Sequence, residues 1–121
     1  MKDGLYHKEI GLPADAPKAF IGTWRPKYTR HAQLEAIKDR NGIIRPLRTL
    51  TVSLSEIIEV EIFQGQPIKA VVRVPYDKTN DIVLAICRPS DGVATVKTQW
   101  LNNRNDTHKT LRREAYVSCL N

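Results

Sequence analysis

Between residues 56 and 101 the chain carries four runs of β-forming residues separated by three short clusters of turn formers. Glu56-Ile-Ile-Glu-Val-Glu-Ile-Phe63 alternates, with Glu59 and Glu61 opposite Ile58, Val60 and Ile62, the period of a strand with two unlike faces. Gln64-Gly-Gln-Pro67 reads as a turn, and Ile68 to Tyr76 as a second strand. Asp77-Lys-Thr-Asn80 turns again before Asp81 to Arg88, an almost unbroken apolar run of the kind found in strands buried on both faces. Pro89-Ser-Asp-Gly92 leads to a fourth strand, Val93 to Leu101. Connections this short leave no room for crossover helices, so the four strands are expected to form an antiparallel meander.

Ahead of the strands lies the best helix signal in the chain. Tyr28 to Arg40 contains strong helix formers, an N-cap candidate in Thr29 and an Asn41-Gly42 stop, which suit the two ends of a helix. Ala32, Leu34, Ala36 and Ile37 cluster on one side and are expected to face the sheet. The stretch before it holds Pro13, Pro17 and Pro26 with Gly4, Gly11 and Gly22, and reads as an irregular arm over residues 1–26. Ile43 to Val52, broken by Pro46, reads as an edge strand or a loop. The fold expected is α+β: one main N-terminal helix packed on a four-stranded antiparallel β-meander, as a single domain over residues 27–121. Strand parity puts Val96, Thr98 and Trp100 on one face of the last strand, and economy of packing turns that face toward the helix.

The chain has 121 residues, of which 41% are hydrophobic and 26% charged. That is ordinary globular usage and enough length for one core. No apolar run reaches the roughly 18 residues that span a bilayer, and Met1 to Ile10 lacks the apolar stretch of a signal peptide. No membrane partner and a cytoplasmic location are therefore expected. Cys87 and Cys119 have no metal-binding spacing, so no metal and no cofactor are expected. Cys87 falls in the apolar run and reads as a buried free thiol.

Net charge is +6 and unevenly spread. Residues 1–48 carry ten Lys or Arg against five Asp or Glu, the middle of the chain is slightly acidic, and residues 97–121 carry five against two. If the two basic ends meet in space they form a surface suited to a phosphate backbone.

The chain has no Walker loop, GxGxxG, HExxH or GxSxG motif, which removes the usual support for nucleotide hydrolysis, dinucleotide redox chemistry, zinc proteolysis and α/β-hydrolase chemistry. Glu56, Glu59 and Glu61 read as a solvated strand face. What remains is His, Lys, Arg, Thr and Tyr, the residue types of metal-independent RNA cleavage. That reaction needs a base for the ribose 2′-hydroxyl, an acid for the 5′-oxygen and cations around the phosphorane. His31 lies in the first helical turn after Arg30, where backbone amides favour a phosphate; its plainer reading is a surface residue. His108 follows the last strand in a polar stretch with Asp106 and Thr110, and its plainer reading is an exposed loop histidine.

The combination of Tyr28-Thr-Arg-His-Ala32 opening a helix, a meander ending in Val96-Lys-Thr-Gln-Trp-Leu-Asn102, and Asp106-Thr-His-Lys-Thr-Leu111 resembles the small RNase toxin superfamily. That group includes barnase, colicin D-type and RelE-type ribonucleases of the BECR fold, with phage-encoded and toxin-domain members. The resemblance implies catalytic roles for His31, Thr98 and His108. It also implies RNA contacts from Arg30, Arg73, Lys97, Trp100, Asn102, Lys109 and Thr110. Trp100 could stack on a base or pack in the core.

These readings converge on a metal-independent endoribonuclease that cleaves RNA, with tRNA one candidate, by 2′-hydroxyl attack to a 2′,3′-cyclic phosphate. The implied partners are RNA and either an acidic immunity or antitoxin protein or a host protein. The alternative is a non-catalytic small basic phage protein that binds and inhibits a host enzyme or nucleic acid.

Overall fold

The computed structural model describes residues 3–8 and 13–105. The strands are β1 (Gly4–His7), β2 (Gly22–Tyr28), β3 (Leu50–Val52), β4 (Ile57–Phe63), β5 (Gln66–Pro75), β6 (Asn80–Cys87) and β7 (Val93–Asn103), with α1 (Arg30–Lys38) between β2 and β3. They form one sheet in the order β1-β4-β5-β6-β7-β2-β3, curled into a half-barrel. All neighbours are antiparallel except β2 and β7, which run parallel. The expected helix on a four-stranded meander is thus corrected. The meander exists as β4 to β7, but three further strands extend it at both ends.

Two of the extra strands come from a segment whose sequence hides them, and the third, β3, lies at the sheet edge within the stretch read as an edge strand or a loop. Residues read as an irregular arm supply β1 and most of β2, and β3 is three residues long. β2 carries Pro26, which is tolerated because a proline that donates no ladder bond fits an edge. β3 reaches only as far as Trp24, leaving Arg25 to Tyr28 with β7 alone as partner. The turns inside the meander obey local chemistry. Gln64-Gly65 and Asp91-Gly92 have positive φ at both residues, 52° and 74°, then 53° and 77°, the geometry that two-residue hairpins need.

The main core lies on one face of the sheet. Ile57, Val60 and Ile62 of β4, Val72 of β5, Ile82, Leu84 and Ile86 of β6 and Val96 of β7 are all buried there. Phe20, from a 3₁₀ turn over Ala16–Phe20, joins them with no exposure. The other face carries a smaller cluster of Val71, Val83 and Ala85, with Ile58 and Trp100 packed against it.

Helix α1 also departs from expectation. Thr29 caps it as read, its hydroxyl accepting from the Ala32 amide at 3.2 Å. Of its four apolar residues, however, only Ala32 and Ala36 are buried, while Leu34 is 44% and Ile37 65% exposed. The helix lies along the part of β7 that β2 leaves unpaired, and Ala32 and Ala36 let its backbone come close there.

A β-bulge in β7 overturns the parity argument. Ile86 pairs with Val96 and Ala85 with Thr98, leaving Lys97 as the extra residue. One inserted residue exchanges the faces of everything after it. Val96 faces the main core as expected, but Leu101 joins it there while Trp100 packs on the opposite face. Cys87 is disulfide-bonded, which corrects its reading as a free thiol. Among the described residues no helix is long and apolar enough to cross a membrane.

Two turns are held by carboxylates. Asp3 accepts from the amides of Gln64 and Gly65 at 2.9 and 2.8 Å, and Asp77 from those of Thr79 and Asn80 at 2.9 and 2.7 Å. These donors hold both carboxyls below their ordinary value of 3.8. A depressed folded-state value stabilises the fold above that ordinary value, and the contribution is lost as pH falls through the folded-state value. Acid titration is therefore expected to loosen the β4–β5 and β5–β6 connections below about pH 4, read as early loss of amide-exchange protection, with Asp3→Asn and Asp77→Asn removing that pH dependence. Gly22 generates a second prediction. Its φ is 151°, and an added Cβ would sit 2.8 Å from the Trp24 ring, which is anchored by its own hydrogen bond to Phe20 O. Gly22→Ala should cost about 1–3 kcal/mol, seen as a lower urea midpoint at unchanged m-value.

Candidate functional site

β2 pairs with β7 only through Val96, although β7 continues to Asn103. From Lys97 onward the outward backbone groups of β7 need other partners, because a bare strand edge exposes unpaired amides and carbonyls. Helix α1 and its flanks supply them. The Thr29 amide donates to Val96 O at 3.1 Å and its hydroxyl to Lys97 O at 3.4 Å. The Gln99 amide donates to Glu35 Oε1 at 3.1 Å, and the Leu101 amide to Asp39 Oδ1 at 3.2 Å. Asn41 Nδ2 donates to Leu101 O at 2.9 Å, and Gln99 Nε2 to Ala32 O at 2.9 Å.

Two of the residues proposed from the sequence meet in this seam. The Thr98 hydroxyl, buried, donates to Glu35 Oε1 at 2.5 Å, and His31 Nε2 lies 3.4 Å from the same oxygen. Their meeting point is Glu35, a residue that the sequence reading passed over. Its signal was present, since residues four apart on a helix share a face and His31 and Glu35 are so spaced. The His31 side chain is 58% exposed and that of Glu35 30%. The arrangement is an exposed imidazole steadied by a carboxylate that is itself held by a buried hydroxyl and a backbone amide. Such a carboxylate can pair with the ring at Nε2 and leaves Nδ1 for proton transfer.

Exposed cations lie on the elements that carry this cluster or flank it. Arg30 precedes His31 and is exposed, while Lys97 occupies the bulge beside Thr98. Arg25 and Lys27 are exposed on β2, paired in register with Val93 and Thr95. Among the described residues none of these four cations forms an ion pair.

The other proposed residues lie elsewhere. Arg73 is opposite Val83, and Val83 is opposite Trp100, so both lie in one row across the second sheet face. There Arg73 is bound to Asp81 at 2.8 Å and to Asn103 O at 3.1 Å. Asn102 pairs with Asp81 in the β6–β7 ladder. His108, Lys109 and Thr110 lie outside the described residues. Among the described residues no group of three His, Cys, Asp or Glu side chains is placed to hold a metal ion. No protein-family model, curated protein or solved structure matches the chain.

The coupling of Thr98 to Glu35 can be measured. Thr98→Val deletes the hydroxyl at nearly constant shape and should cost about 1–2 kcal/mol. Combined with Glu35→Gln in a urea-denaturation cycle, the pair should show an interaction of about 0.5–3 kcal/mol, whereas an additive result would mean that the two side chains do not act together.

Proposed function

We propose that the chain is a metal-independent endoribonuclease, acting on RNA in the cytoplasm, whose chemistry centres on His31. The observation that carries this reading is the carboxylate of Glu35, which joins the helix histidine to Thr98 on the last strand. In the proposed step His31 takes the proton of a ribose 2′-hydroxyl, and the 2′-oxygen attacks the adjacent phosphorus. The bond from phosphorus to the 5′-oxygen breaks, leaving a 2′,3′-cyclic phosphate. The leaving 5′-oxygen receives a proton from His108. Arg30 and Lys97 are the nearest candidates to offset charge on the phosphorane, with Arg25 and Lys27 holding the flanking backbone. An acidic immunity protein or a host protein is the partner that such an activity calls for.

One observation favours a second reading. Glu35 accepts from the Gln99 amide and so helps close the edge of β7, which gives the cluster a structural use without catalysis. In that case the chain is a non-catalytic basic module that binds nucleic acid or a host enzyme.

Incubation with total RNA in EDTA separates the two. The enzyme reading expects fragments ending in 2′,3′-cyclic phosphate, and a loss of about 10²-fold or more in rate for His31→Ala, with the fold checked by circular dichroism. Growth arrest on overexpression with intact RNA, together with a stable host partner on pull-down, would support the module.

A further inference from the structure

A concave feature lies at the Gln66 end of β5. Asp15 and Lys18 from the 3₁₀ segment, the turn residues Gly65 and Gln66, Pro67 of β5 and Arg88 just after β6 line a cleft of about 390 Å³. We propose that this cleft binds a small phosphate monoester that also carries a hydroxyl or amine donor, a site separate from the His31 cluster and independent of the ribonuclease reading.

The cleft's walls are fixed before any ligand arrives. Asp3 clamps the amides of Gln64 and Gly65. The Arg88 amide donates to Ile68 O at 2.9 Å, which continues the β5–β6 ladder beyond Cys87. The Arg88 side chain is steadied as well, since Nη1 donates to Gln66 Oε1 at 3.1 Å. That bond occupies one guanidinium nitrogen and leaves the others for an acceptor. Pro67 is buried and gives the cleft an apolar wall.

Charge selects the ligand. Lys18 and Arg88 are both exposed, and among the described residues neither makes an ion pair. A planar guanidinium beside a mobile ammonium suits a tetrahedral oxyanion. Asp15 is the single carboxylate in the lining and makes no cap bond to its own helical turn, which leaves it free to accept from a hydroxyl or amine. The volume falls at the small end of the roughly 300–1,000 Å³ range of ligand pockets, the size of a sugar phosphate. The same chemistry could be offered by a free metabolite or by the 5′-phosphate of an oligonucleotide.

The test is an amide-shift titration of the ¹⁵N-labelled full chain, run on wild type and on His31→Ala. The probes are ribose 5-phosphate, inorganic phosphate, ribose, and a trinucleotide with and without a 5′-phosphate. Ribose 5-phosphate should saturate shifts at Lys18, Gly65, Gln66 and Arg88 in the millimolar range or below, and bind about tenfold more tightly than inorganic phosphate. Ribose should leave those amides unmoved, and His31→Ala should behave like wild type. Lys18→Gln and Arg88→Gln should each weaken binding by about tenfold, and Asp15→Asn should narrow the gap between ribose 5-phosphate and phosphate. A response from the trinucleotide only when it is 5′-phosphorylated would assign the site to RNA ends, and a response to ribose 5-phosphate alone to a free metabolite. Absence of saturable shifts at these four residues, or equal shifts with ribose, would overturn the proposal. These side chains are exposed, so the variants should keep the wild-type spectrum elsewhere; loss of binding together with a collapsed spectrum is resolved by the wild-type titration, which stands by itself.

Discussion

The long edge of β7 is the constraint around which this molecule is arranged. An eleven-residue strand is paired on one side by β6, and on the other side β2 covers only its first part. The chain completes the second side with side chains. It leaves β2, caps a helix at Thr29, and then supplies hydroxyl, carboxylate and amide groups in step with the strand's outward backbone groups. Because alternate residues of a strand point their backbone groups to the same side, the partners needed fall at Lys97, Gln99 and Leu101. A helix packed through Ala32 and Ala36 lies close enough to provide them.

This arrangement also brings the proposed chemistry together. The bulge at Lys97 lets the Thr98 hydroxyl reach Glu35 while Gln99 turns its side chain to the helix. Without the inserted residue, Val96 and Leu101 would fall on opposite faces, and the main core could not hold both. His31 enters through the helix alone, one turn ahead of Glu35. Edge closure and the His31 cluster are thus two aspects of the same contact, which is why the Thr98→Val and Glu35→Gln variants report on stability while His31→Ala reports on the proposed chemistry.

The sequence makes the centre of the fold readable and hides its margins. β4 to β7 stand out because buried strands need continuous or alternating apolar residues, and two of their three turns carry Gly at positive φ. β1 and β2 escape because they lie in a Pro- and Gly-rich segment and β2 tolerates Pro26 and the exposed Arg25 and Lys27, whereas β3 falls within the stretch read as an edge strand or a loop. The helix was legible from Thr29 and Asn41, but its exposed Leu34 and Ile37 resembled a core stripe. A bulge leaves no mark on composition, so Trp100 was assigned to the wrong face. In the candidate site, His31 and Thr98 were legible as residue types, whereas Glu35 read as one more helix former and Arg73 gave no sign of its engagement with Asp81.

The side-chain closure of β7 has a consequence for how copies of this chain meet. A backbone seal would tolerate most substitutions, but here a few polar groups on one short helix stand between an open edge and the solvent. Were the helix displaced, Gln99 and Leu101 would offer vacant amides in a long strand, a template on which another molecule could add a strand of its own. Retaining polar side chains at Glu35 and Asp39 is then a safeguard against intermolecular sheet growth, whatever the histidine beside them does.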